Sequence, residues 1–154
     1  MKSIFTILSA IAFSATFLFG QDIKIKRDMV YLDGIEQFKL ESLQLGNTVN
    51  IYNKEGEKLI VYRYQSYNDK DAITSGNPNG TISWYEVTFL NENMDKCEVD
   101  LMMKKGLAKE IISNNLVQDG QLNEASVKQF IVIHGMNYSA QRKSPSTTII
   151  INNN

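Results

Sequence analysis

Short runs of alternating apolar and polar residues, separated by turn-forming residues, occupy residues 22–66 and 81–102. Asp33 and Gly34 separate two of these runs, and both residue types tolerate the positive φ angles of a two-residue hairpin. A second turn lies at 53–56, again between alternating runs. Alternation with a period of two sends successive side chains to opposite faces of a strand. The pattern therefore predicts a series of antiparallel hairpins.

The apolar period then changes to three or four residues, as Met103, Leu107 and Ile111 show. This spacing predicts an amphipathic helix of about three turns. A second helix is predicted between Asn123, a good N-cap residue, and Gly135, which suits the position after a C-cap. Strands followed by helices indicate an α+β fold, an antiparallel sheet of about six to seven short strands with two C-terminal amphipathic helices packed on it. A small β-barrel or sandwich with C-terminal helices is the alternative. The alternating pattern of the strands does not distinguish it from a single sheet covered by helices.

Residues 1–20 have the layout of a secretory signal peptide, with Lys2 followed by an uncharged apolar run. The run is shorter and more polar than the about 20 apolar residues of a membrane span, so we expect no stable membrane anchor. Cleavage is expected after Gly20, with cleavage after Ala15 or Gln21 as alternatives. No cysteine lies near this junction, which excludes a lipoprotein. The mature protein is therefore predicted to be secreted or periplasmic.

The rest of the chain has the length of one domain, which we place at 21–138, with 139–154 as a flexible tail or an edge strand. Its one cysteine, Cys97, cannot form an intrachain disulfide, and its alternating neighbours predict burial on a strand. The charge of the whole 154-residue chain is nearly balanced, with 16 Lys and Arg against 17 Asp and Glu. Nucleic-acid-binding domains usually carry a basic patch, so this balance argues against a nucleic-acid partner.

The sequence contains no recognisable catalytic, phosphate-binding or metal-binding motif. His134 is the only histidine, so any Ser–His–acid triad or histidine-ligated metal would depend on it. Its position in the last turn of the second predicted helix favours a structural role. We therefore predict no catalytic residues, no metal and no cofactor, and a non-enzymatic chain is favoured.

A polar, turn-rich stretch at 67–80 interrupts the strands, and loops of this length often carry function. Aromatic residues stand on both sides of it, and aromatic rings on a sheet can stack against a sugar ring. These features predict a ligand-binding site made of the loop and the nearby strand aromatics. Its candidate residues are Tyr62, Tyr64, Tyr67, Asp69, Asp71 and Trp84.

Three functions fit these observations. The first is an exported, non-enzymatic envelope protein that binds a protein partner or a glycan through the 67–80 loop and nearby aromatics. The second is an exported hydrolase that uses loop carboxylates such as Asp69, Asp71 or Glu92, with or without His134. The third is a small carrier of lipids or other hydrophobes, which would require a hollow barrel.

Three segments together resemble small exported proteins of uncharacterised function from Bacteroidetes. They are the junction at 19–22, the hairpin at 30–34 and the turn at 119–123. The resemblance concerns the general plan of the chain. Because no activity is assigned to that group, it implies no functional residue.

Overall fold

The computed structural model describes residues 22–142, which form an open, seven-stranded antiparallel sheet. The strands lie side by side in chain order, and β1 and β7 are the two edges. They are β1 (Ile23–Lys26), β2 (Met29–Leu32), β3 (Ile35–Leu43), β4 (Thr48–Tyr52), β5 (Lys58–Asn68), β6 (Thr81–Phe89) and β7 (Lys96–Asp100). The predicted α+β fold is confirmed. The barrel alternative is wrong, because β1 and β7 do not pair.

The helices follow the sheet in the chain. They are α1 (Lys104–Ser113), α2 (Glu124–His134) and the short α3 (Asn137–Gln141). A small hairpin, made of β8 (Val117–Gln118) and β9 (Gln121–Leu122), connects α1 to α2. Helix α1 contacts β1 and α2 contacts β7, so the two longer helices cover one face of the sheet. We call this face the helix-covered face.

Local sequence signals explain the turns and caps. Asp33 and Gly34 both have positive φ, 51° and 84°, as the predicted hairpin between β2 and β3 requires. The Asn123 side chain accepts a hydrogen bond from the backbone N–H of Ser126, which confirms it as the N-cap of α2. Gly135 follows the last residue of α2 with a φ of 59°. These predictions succeed because each depends on residues a few positions apart.

One apolar layer between the sheet and the helices forms the core. Cross-strand partners such as Ile51 and Ile60 contribute from the sheet. Phe130 of α2 meets Phe89 edge to face, with ring centroids 6.1 Å apart. Cys97 is fully buried in this layer, as predicted. Burial raises the pKa of its thiol to about 12, so the thiolate that reacts with electrophiles is scarce at neutral pH.

The chain passes around the edge of β7 after α2. The backbone N–H of Glu98 donates to the carbonyl of Gly135, which fastens the end of α2 to this edge strand. Helix α3 then packs near the side chains of Glu98 and Asp100. These two residues alternate along β7 with Val99, which is buried on the helix-covered face, so they lie on the other face of the sheet. A short helix thus covers part of the face that α1 and α2 leave open.

Helix α3 spans residue 139, at which the expected tail begins, and continues to Gln141. Residues 143–154, the rest of the expected tail or edge strand, lie outside the described residues, as does the signal peptide expected at 1–20. Within 22–142, no helix is long and apolar enough to cross a bilayer.

Candidate functional site

Tyr62 and Tyr64 share one face of β5, as expected, but this is the helix-covered face. Tyr62 is completely buried and packs edge to face against Tyr85, with ring centroids 6.0 Å apart. Its side chain is therefore a core element and cannot stack on a ligand, which corrects its assignment as a site residue. Tyr64 is partly exposed near the rim of this face, where its hydroxyl lies 3.0 Å from the hydroxyl of Ser83.

Tyr67 and Trp84 lie together on the other face of the sheet. Their rings meet edge to face with centroids 5.7 Å apart. Trp84 is only 5% exposed, because the ring of Tyr138 stacks on it with a centroid distance of 5.4 Å and an interplanar angle of 6°. Trp84 is therefore a support for Tyr67 and not an open platform. The four predicted aromatic residues are divided between two faces and do not form one surface.

A groove lies where the end of β5 and the following turn approach the C-terminal end of α3. Its volume is about 610 Å³, and we call it the loop groove. It is lined by Ser66, Tyr67, Asn68, Asp69, Lys70, Asp71 and Arg142. The structure thus brings together three predicted residues, Tyr67, Asp69 and Asp71. The prediction omitted Arg142, because that residue lies in the segment expected to be a tail.

Hydrogen bonds fix the shape of the loop. The Asp69 carboxylate accepts from the backbone N–H of Asp71 at 2.9 Å, and the Asp69 N–H donates to the Gly80 carbonyl at 2.8 Å. The Asn77 amide donates to the carbonyls of Ala72 and Thr81, and its oxygen accepts from the Thr81 N–H. The loop is therefore held in one shape by its own side chains.

Gly80 is required for this arrangement. Its φ is +60°, and a Cβ at this position would lie 2.0 Å from the carbonyl oxygen of Asp69. Any other residue would force the two ends of the loop apart. The sequence indicates a turn at Asn79–Gly80. It does not indicate that the Asp69 carbonyl lies against Gly80, which is the contact that requires a glycine.

A second cavity lies at the edge of β7, and sequence reasoning missed it. Its volume is about 290 Å³, and α1, α2, α3 and β7 all contribute to it. Its titratable residues are Glu98, Asp100, Glu110, His134 and Tyr138. We call it the acidic cavity. No local signal could have indicated it, because its titratable members lie up to 40 residues apart, as Glu98 and Tyr138 do.

Two carboxylates of the acidic cavity hold α3 in place. Glu98 is 3% exposed and accepts hydrogen bonds from the backbone N–H groups of Tyr138, at 2.7 Å, and Ser139, at 3.0 Å. The Tyr138 hydroxyl donates to the Asp100 carboxylate. This hydrogen bond stabilises the neutral phenol and, together with burial, raises the pKa of Tyr138 to about 12.

Glu110 enters the same cavity from α1. One of its carboxyl oxygens, Oε2, is shielded from solvent and has no hydrogen-bond partner among the described residues. Burial, with a smaller contribution from Asp100, raises the pKa of Glu110 to about 7. Burial also lowers the pKa of His134, although the charge of Asp100 opposes this. The His134 ring lies against Phe130, with ring centroids 4.2 Å apart.

Of the three carboxylates of the hydrolase alternative, Glu92 lies far from the other two. Asp69 and Asp71 lie beyond the start of β6, whereas Glu92 follows its end. A nine-residue strand is about 27 Å long, so Glu92 cannot act on the same bond as Asp69 or Asp71. His134 lines the acidic cavity and not the loop groove. The carrier alternative also lacks its structural requirement, because the sheet is open and its helix-covered face is packed.

No group of three or more His, Cys, Asp or Glu side chains within 22–142 is arranged to hold a metal ion. Comparisons of the chain with protein-family models, curated proteins and solved structures found no match.

Proposed function

We propose that this chain is an exported, non-enzymatic protein that binds a saccharide in the loop groove. One observation carries the proposal. The half-buried ring of Tyr67 lies in a groove of hydrogen-bonding side chains and is supported from the side by Trp84.

The chemistry of the groove suits a sugar. A saccharide ring has apolar C–H faces that stack on an aromatic side chain, and hydroxyl groups that both donate and accept hydrogen bonds. Asp69 and Asp71 offer acceptors, Arg142 and Lys70 offer donors, and Asn68 offers both. A small number of such polar groups beside an aromatic ring is typical of small-molecule sites.

The dimensions of the groove favour a small ligand over a protein partner. Its volume of 610 Å³ lies within the range of about 300 to 1,000 Å³ that is usual for small-molecule pockets. A stable protein interface covers about 800 Å² on each partner, much more than this groove presents. The fixed loop also favours binding, because little conformational freedom remains to be lost when a ligand orders its side chains.

Export is the second part of the proposal. It is supported by the charge and hydropathy layout of residues 1–20, which is typical of a cleaved signal peptide. The resemblance to small exported proteins of Bacteroidetes agrees with it. An envelope location would bring the loop groove into contact with cell-wall or environmental polysaccharides.

A saccharide screen with matched tyrosine variants tests the proposal. Residues 21–154 would be titrated with a panel of mono- and oligosaccharides, and binding would be measured by calorimetry. We expect Tyr67→Ala to weaken binding about tenfold or more, because it removes the stacking ring. Tyr31→Ala is the control, since Tyr31 is also a half-buried strand tyrosine but lies on β2, away from the groove. Equal losses in the two variants, or no saccharide binding by the wild type, would overturn the proposal.

A further inference from the structure

Helix α3 has only five residues, and its attachment depends on three contacts with the sheet. Glu98 accepts hydrogen bonds from its first backbone N–H groups, Asp100 accepts from the Tyr138 hydroxyl, and the Tyr138 ring stacks on Trp84. Two of these contacts use carboxylates. The attachment is therefore sensitive to any further negative charge in the acidic cavity.

Glu110 is the group that can supply such a charge. It lines the same cavity as both anchoring carboxylates, and its Oε2 atom has no hydrogen-bond partner among the residues at 22–142. The titratable groups that face it, or interact with it electrostatically, come from four elements. They are Cys97, Glu98 and Asp100 of β7, His134 of α2, Tyr138 of α3 and Tyr62 of β5.

No lysine or arginine in the described part of the chain lines this cavity. Among the residues that line it, His134 alone can become cationic, and burial, which lowers its pKa, favours the neutral imidazole. The phenol of Tyr62 and the thiol of Cys97 also remain neutral, because burial raises both of their pKa values. A negative charge on Glu110 would therefore lie near that of Asp100 with no cation lining the cavity to offset it.

We propose that ionisation of Glu110 loosens α3 from β7 and thereby weakens the loop groove, so that the protein binds its ligand more tightly in mildly acidic than in alkaline solution. The loosening of α3 is independent of any ligand. Its effect on affinity rests on the proposed saccharide function.

Glu110 titrates within a pH range in which experiments on the folded protein are practical. Burial and Asp100 raise the pKa of Glu110 from 4.5 to about 7. The carboxyl is therefore mostly neutral at about pH 5.5 and mostly ionised at about pH 8.5. When it ionises, the cost of holding its charge out of water and beside Asp100 is relieved if α3 moves outward and water enters the cavity.

Helix α3 connects this event to the loop groove. Tyr138 of α3 covers Trp84, and Trp84 in turn supports the ring of Tyr67 in the groove. Arg142, directly after α3, lines the groove itself. Movement of α3 would thus remove one wall of the groove and the support of its aromatic ring.

The fluorescence of Trp84, the only tryptophan, tests the first step without any ligand. In the wild type we expect the emission to change with a midpoint near pH 7, as the stacked Tyr138 ring leaves the indole. Glu110→Gln should abolish this transition, since it keeps the shape of the side chain and cannot ionise. Glu92→Gln, at an exposed turn position, should retain it.

His134→Gln distinguishes the two titrating groups of the cavity. We expect its transition to remain near pH 7. Loss of the transition in His134→Gln together with its persistence in Glu110→Gln would overturn the proposal, as would a wild-type spectrum that is constant from pH 5 to pH 9. Circular dichroism would verify that each variant is folded.

Calorimetric titration with a saccharide that binds the wild type tests the second step. We expect affinity to fall about fivefold or more from pH 5.5 to pH 8.5, within the usual range of coupling between sites, and to remain constant in Glu110→Gln. Equal wild-type affinities at the two pH values would overturn the coupling. A fluorescence transition in a protein that binds no saccharide would overturn the proposed function but support the loosening of α3.

Discussion

The indole ring of Trp84 and the phenol ring of Tyr138 lie almost parallel, inclined by 6° with centroids 5.4 Å apart. Trp84 belongs to β6 and Tyr138 to α3, so the stack joins the sheet to the last helix of the described chain. Trp84 also contacts Tyr67 at the loop groove, and Tyr138 also binds Asp100 at the acidic cavity. This pair of rings is therefore the physical connection between the two sites.

Replacement of Tyr138 by alanine should detach α3. The variant loses the stack on Trp84 and the hydrogen bond to Asp100, and we expect the free energy of unfolding to fall by about 1–3 kcal/mol. Urea denaturation would measure the loss. Tyr138→Phe keeps the ring and removes only the hydroxyl, so its loss should be smaller. Wild-type stability in Tyr138→Ala would show that α3 is not held by this side chain.

Glu110 should make the stability of the protein fall as pH rises. Its folded-state pKa of about 7 lies above its ordinary value of 4.5, so between these values the folded state binds more protons than the unfolded state. The contribution of Glu110 to the free energy of unfolding is therefore most favourable below about pH 4.5. It is lost as pH rises through about 7. The full shift corresponds to roughly 3 kcal/mol, which partial solvent exposure reduces to about 1–2 kcal/mol.

Comparison of the wild type with Glu110→Gln isolates this effect from other titrating groups. At pH 8 the variant should be more stable by about 1–2 kcal/mol, and the difference should shrink as pH falls toward 4.5. Denaturant unfolding at several pH values would measure it. A difference that does not change with pH would contradict the raised pKa.

Gly80→Ala should disrupt the loop groove. The new Cβ would lie 2.0 Å from the Asp69 carbonyl oxygen, and the φ of +60° is strained for alanine. We expect a loss of about 1–3 kcal/mol in stability and a loss of saccharide binding. Gly76→Ala is the matched control in the same loop, because nothing lies within 4 Å of its added Cβ. If both variants behave alike, the close approach of Asp69 and Gly80 does not shape the groove.

Cys97 should resist alkylation in the folded protein. It is fully buried and its thiol pKa is raised to about 12, so both access and thiolate are lacking near neutral pH. Iodoacetamide labelling followed by mass spectrometry should detect modification only after denaturation. Rapid labelling of the native protein would show that this part of the core opens readily.

The sequence predicted the features that depend on neighbouring residues. Alternation and turn residues indicated the hairpins, and Asn123 marked the start of α2. It did not predict that Tyr62 is buried, because alternation divides a strand into two faces without saying which face the helices cover. It also missed the acidic cavity, since Glu98 looks like an ordinary outward-facing strand residue until α3 returns to cover it.

Part of the candidate site was predicted, because some of its residues are also close neighbours in the chain. Tyr67, Asp69 and Asp71 lie within one short segment, and they do line one groove. Arg142 completes this groove from a position far away in the chain, and Trp84 serves Tyr67 only as a support. Contacts of this kind depend on the path of the chain around β7, which no local pattern specifies.

Calorimetric titration of residues 21–154 with saccharides, for the wild type and for Tyr67→Ala, tests the central claim most directly. We expect saccharide binding by the wild type, and affinity reduced about tenfold or more in Tyr67→Ala but unchanged in Tyr31→Ala. A saccharide that binds the wild type and Tyr67→Ala equally well, or no binding to any member of the panel, would contradict a saccharide site in the loop groove.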